Sequence, residues 1–142
     1  TGGMLEALAD SRVPVVVIHG DRDVAVPYRT AVDAARRANG TLVTIEGGTH
    51  SWVLKDPETL PAVIAQLLDG PLARVRAAAL AAAGVSAGAT PEQIEAAFLG
   101  PHAWVRRLTP PLQARRGPVV HRRARYQWRI TEPGSTAAQT AG

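Results

Sequence analysis

The chain has 142 residues, enough for one domain with one core, and at 46% hydrophobic and 20% charged it has an ordinary globular composition. It contains no cysteine, which excludes disulfides and thiolate metal sites, and no apolar run approaching the ~20 residues that a membrane span requires. The net charge of +4 is unevenly divided: residues 1–70 hold six Lys/Arg and nine Asp/Glu, while residues 71–142 hold ten Arg and three Glu, as expected of two regions with different jobs or different order.

The start, Thr1-Gly2-Gly3-Met4, has neither the basic flank nor the apolar stretch of a signal peptide, so the expected location is cytoplasmic. With no Met at position 1, the chain is expected to begin partway through a longer protein. Residues 4–9 read as the end of a helix closed near Asp10-Ser11. Val13 to Gly20 is a β-branched run bounded by Pro and Gly, the pattern of a strand buried on both faces in a helix-covered parallel sheet, with Pro14 at its first position. An acidic loop, Asp21 to Pro27, leads into an amphipathic helix over 28–39 that stops at Asn39-Gly40. Thr41 to Glu46 is a second strand and Gly47 to Ser51 a loop. Asp56 is placed to cap a helix with Pro57 at its first position, running to about Leu68. Strand, helix, strand, helix is the order of a βαβ unit, so the fold class is α/β.

Beyond residue 70 the character changes. Residues 71–83 are Ala-rich and helical, Thr90-Pro91-Glu92-Gln93 has capping-box spacing, and residues 101–109 are expected to add a short helix. From Pro110 the chain is rich in Pro and Arg; Arg122 to Ile130 is expected to form one strand or lie extended, and Pro133 to Gly142 to be disordered. The expected organisation is therefore residues 1–69, a helical extension over 70–109 and a largely irregular basic tail over 110–142.

Two loops carry the chemistry. His19-Gly20-Asp21-Arg22-Asp23 lies at the carboxyl end of the first strand and Gly47-Gly48-Thr49-His50-Ser51-Trp52 at that of the second, where open α/β sheets place their ligand sites. Parallel neighbouring strands would bring an acid from one loop to the imidazole of the other, the acid–histidine half of a nucleophile-activating triad.

A strand followed by Gly-x-x-Asp-x-x-Val-Pro, then helix, strand and Gly-x-x-His, resembles the C-terminal part of the α/β-hydrolase fold. Gly20 to Pro27 carries the first pattern and Gly47-Gly48-Thr49-His50 the second, over about residues 1–69. The resemblance implies Asp23 as the triad acid, His50 as the general base, an ester or related acyl bond as the target, a small-molecule acyl substrate and no cofactor. It also implies a nucleophile upstream in a Gly-x-Ser-x-Gly elbow, with the order nucleophile, acid, His. Nothing before Asp23 supplies one, and the oxyanion-hole loop is missing too, so an upstream hydrolase segment or partner chain is expected to complete the sheet. Whether the nucleophile is Ser or Asp stays open, as dehalogenase or epoxide-hydrolase chemistry uses the latter.

Gly84-Val85-Ser86-Ala87-Gly88 matches the elbow letter for letter. It follows a helix former rather than a strand, and it comes after the His, so Gly84 reads as a helix C-cap instead. Among the other candidates, Asp21 and Arg22 read as solvated loop charges, His19 as a hydrogen-bonded structural residue, Ser51 as a loop hydroxyl and Trp52 as packing beneath the loop. His102 and His121 lack metal-ligand spacing. Arg residues interleaved with Tyr126 and Trp128 invite a nucleic-acid reading, but no nucleic-acid fold surrounds them and a solvated basic tail is favoured. A non-catalytic hydrolase remnant acting as a binding module is the other alternative.

Overall fold

The computed structural model describes residues 2–100 and 123–135. The expected helix over 101–109, His102, His121 and most of the tail lie outside the described residues. The chain divides into two compact units, Thr1–Leu72 with Arg123–Gly142, and Ala73–Arg122.

The first unit follows the βαβ order read in the sequence. Helix α1 (Gly2–Asp10) precedes β1 (Val16–Gly20), α2 (Tyr28–Arg37), β2 (Thr41–Ile45), a short α3 (Trp52–Lys55) and α4 (Thr59–Asp69). Strands β1 and β2 are parallel, with Val16 opposite Thr41 and Gly20 opposite Ile45. The pleat sends alternate side chains to opposite faces. On one face, Val17 and Leu42 meet Ala31 and Ala35 of α2. On the other, Val43 and Ile45 pack with Trp52, Val63 and Leu67, and with Val16 and Ile18 at their margin. Outside this core, α1 is tied to α2 by a bidentate pair from Arg37 to Glu6.

Three features differ from the expectations or decide between them. The doubly buried strand is β2, buried along its whole length, whereas β1 is half-buried. Strand β1 is an edge strand among the described residues: the sheet order is β1-β2-β3, so it has a strand on one side only. Second, of the two alternatives for Arg122 to Ile130 a strand is the one that forms, and it gives the sheet three strands among the described residues. Trp128–Thr131 forms β3, antiparallel to β2, with Ile45 opposite Trp128 and Leu42 opposite Thr131. Tyr126, Trp128 and Ile130 pack against the core while Arg123, Arg125, Gln127 and Arg129 are exposed, so this part of the basic segment reads as one half-buried edge strand and its lead-in.

Third, Asp56 is not the cap of α4. That helix begins at Thr59, with Glu58 at its N-cap. Asp56 is instead buried at 3% exposure, accepting from the Thr59 hydroxyl at 2.5 Å, the Glu58 N–H at 3.3 Å and the Arg125 N–H at 2.6 Å. The Thr59 hydroxyl, followed by the Arg125 N–H, holds its carboxyl below the usual carboxylate range. One buried acid thus ties the segment before β3 to the foot of α4.

In the second unit, α5 (Ala73–Ala82) ends at Gly84, whose φ of 68° is the left-handed conformation expected of a C-terminal cap. The Val85 N–H closes this cap on the Leu80 carbonyl at 2.8 Å. Helix α6 (Pro91–Leu99) starts with a complete capping box between Thr90 and Gln93. No helix of the described residues is long and apolar enough to cross a membrane.

Candidate active site

The carboxyl ends of β1 and β2 are joined closely. Gly20 is buried against Gly48, and a Cβ on Gly20 would collide with the Gly48 backbone. The Arg22 N–H donates to the Gly48 carbonyl at 2.9 Å and the Asp21 N–H to the Ile45 carbonyl at 3.2 Å. Asp21, expected to be a solvated acid, accepts the Gly47 N–H at 2.7 Å and straps the second loop to the first. Gly47 turns at φ 70°, a backbone conformation that glycine adopts without steric cost.

These straps bring Asp23 and His50 together. His50 Nδ1 lies 2.9 Å from Asp23 Oδ2. The other carboxylate oxygen, Oδ1, accepts the N–H groups of Ala25 and Val26, each at 2.9 Å. The Asp23 side chain is only 6% exposed while that of His50 is 61% exposed. The Val26 N–H, then His50 and the Ala25 N–H, hold the Asp23 carboxyl below its ordinary range against the opposing effect of partial burial. An ionised carboxylate can only accept, so the imidazole proton belongs on Nδ1. In the neutral ring, Nε2 then carries a free lone pair on the exposed side.

Asp23 and His50 are thus in contact at the carboxyl ends of adjacent parallel strands. The model of the TAP-like protein family, a family of α/β-hydrolases, matches residues 3–76. The chain belongs to the α/β-hydrolase family. It is also similar to a putative non-heme haloperoxidase of Mycobacterium phage D29, 37% identical over 68 residues that make up 48% of this chain and 24% of that protein. The chain thus spans about a quarter of the length of that relative. No solved structure matches it.

The remaining candidates separate. Ser86 lies in the turn region between α5 and α6, with no strand before it, so it lacks the setting of a hydrolase elbow. Ser51 precedes α3 as its N-cap residue without a side-chain capping bond. Trp52 is 8% exposed and packs in the core beneath the His50 loop, in edge contact with Tyr126. His19 is hydrogen-bonded, as expected, through Nδ1 and the Gly20 carbonyl at 2.8 Å. It also approaches Asp23, which the sequence reading missed; the spacing of four residues gave no local signal for it. Among the described residues, no cluster of His, Asp and Glu is arranged to hold a metal.

Proposed function

We propose that this chain supplies the acid and the general base of an α/β-hydrolase active site that cleaves an ester or related acyl bond. The observation that carries the reading is the 2.9 Å contact between Asp23 and His50 at the ends of β1 and β2. His50 Nε2 takes the proton of the attacking nucleophile and later delivers it to the leaving group. Asp23 keeps the proton on Nδ1 and stabilises the imidazolium formed in between. The nucleophile comes from a segment other than the described residues, and the substrate is a small acyl compound seated between that segment and His50.

The test is hydrolysis of p-nitrophenyl acetate and butyrate by the full chain, beside His50→Ala and Ser86→Ala. The expected result is no turnover above the variants. Turnover abolished equally by both substitutions makes Ser86 the nucleophile and overturns the proposal. A second measurement addresses the pair directly, namely long-range 15N–1H correlation of His50 in the wild-type chain. The expected signature is a protonated Nδ1 and an unprotonated Nε2, converted by Asp23→Asn; the opposite tautomer in the wild-type chain refutes the acid–base reading.

A further inference from the structure

We infer that His19 is a positioning residue for the acid, bracing the Gly20–Asp23 turn through the Nδ1–H that it donates to the Gly20 carbonyl. The inference rests on the acid–base reading of Asp23 and His50. His19 Nδ1 is 2.8 Å from the Gly20 carbonyl oxygen. That oxygen has no proton to give, so Nδ1–H is the donor and the neutral proton of His19 is committed there. The Gly20 carbonyl also accepts the Asp23 N–H at 3.4 Å, the bond that closes the turn. At the far end of the ring, Nε2 stands 3.7 Å from Asp23 Oδ2, the oxygen that holds His50. At that separation Nε2 makes no direct hydrogen bond, so His50 keeps Oδ2 without a rival donor from the neutral His19 ring.

The ring is well held for such a role. Its side chain is 14% exposed, against 61% for His50. Its face meets Tyr28 edge-on with centroids 6.2 Å apart, and the Tyr28 hydroxyl is hydrogen-bonded to Thr44, the residue opposite His19 in the β1–β2 register. His19 is thereby fixed from β2 and α2 and passes that rigidity to the loop carrying Asp23. A residue that only filled space would need its ring. A residue that braces the turn needs its Nδ1–H.

Two substitutions separate these roles. His19→Phe keeps the ring and its contact with Tyr28 but removes both nitrogens. His19→Asn removes the ring but places an amide N–H near the position of Nδ1. The readout is the pair of His50 15N resonances in the full chain at mildly alkaline pH, where imidazole is neutral, with the β2 amide resonances reporting the fold. In His19→Phe the expected change is a shift of His50 Nδ1 from the protonated position towards the average of two exchanging tautomers; His19→Asn keeps the wild-type signature. Phe retaining the signature, or Asn losing it, overturns the inference. If His19→Phe does not fold, the wild-type His19 resonances decide: a proton on Nδ1 is expected, and a proton on Nε2 overturns it. A wild-type His50 without its Nδ1 proton would count against the acid–base reading itself, which keeps the two failures distinguishable.

Discussion

Replacing Gly20 by Ala tests how tightly the two loops must meet. The added Cβ falls on the carbonyl oxygen, carbonyl carbon and Cα of Gly48, so its three nearest atoms are all backbone. No side-chain rotation relieves such a clash, so the loops must part. Gly48 resists, because its own N–H donates to Ile45 at 3.1 Å and its carbonyl receives the Arg22 N–H at 2.9 Å. Overpacking of this kind costs about 1–3 kcal/mol, and losing the Arg22 bond adds about 0.5–1.5 kcal/mol. With a mid-range loss of about 3 kcal/mol and a urea dependence of about 2 kcal/mol/M for small proteins, the unfolding midpoint falls by roughly 1.5 M. Because Asp23 and His50 hang on opposite sides of this junction, the His50 Nδ1–H signature is lost together with the stability. Gly47→Ala is the control: a Cβ there meets nothing within 4 Å, and only its φ of 70° is unfavourable. That strain costs about 1–2 kcal/mol, and the Asp23–His50 contact survives. The reasoning is refuted by a Gly20→Ala chain with wild-type stability and an intact His50 signature, or by a Gly47→Ala chain that is the worse of the two.

Ile45 is fully buried between β2 and α4, so Ile45→Ala lowers stability by about 2–5 kcal/mol in equilibrium urea unfolding, and a loss below 1 kcal/mol would contradict the packing. Thr90→Ala removes the capping box of α6 and costs about 1 kcal/mol of helix stability, read by circular dichroism on heating; Thr90→Ser retains the cap and the signal. Acid unfolding follows from the carboxyls of Asp23 and Asp56, both lower in the folded chain than in the unfolded one. The folded state then binds fewer protons, so their contribution is complete above the ordinary carboxylate value of about 4 and disappears as pH falls through their lower folded values. The melting temperature is expected to hold from pH 7 to about 5 and then decline, and a flat profile down to pH 2 would remove this origin of stability.

What was legible in the sequence was local. The β-branched run before Gly20, the acid three residues after it and the Gly-Gly turn before His50 each follow from chemistry within a few residues. The capping box at Thr90 and the cap at Gly84 are of the same kind. The misses are contacts made at a distance. Asp56-Pro57 has the form of a helix start, but three donors, one of them from Arg125, outweigh the local capping preference and bury the acid. Between a strand and an extended segment for Arg122 to Ile130 the alternation of Arg with Tyr126, Trp128 and Ile130 could not decide, because the edge of β2 that β3 pairs with is distant in sequence. Asp21 is exposed, as expected, but its bond to the Gly47 N–H left no local signal because that partner belongs to the other loop. Helix α3 is only four residues long, too short to leave a periodicity.

The two edges of the sheet bear directly on where a nucleophile can come from. Strand β3 closes the far edge of β2 in antiparallel pairing, with Trp128 also donating to Gln66 of α4 at 2.7 Å. Any further strand in this sheet beside β1 must therefore add along its outer edge, which pairs with nothing among the described residues. A row of unpaired N–H and C=O groups is a template for strand addition, and β1 is short and half-buried, not protected by a bulge or a charged strand residue. A strand added there in parallel would end at the same edge of the sheet as Asp23 and His50. A nucleophile on the turn after such a strand, or after the next one out, would approach His50 from the β1 side, towards the exposed imidazole. On the function proposed above, a strand that paired with the open edge of β1 would therefore also be placed to bring a nucleophile towards His50.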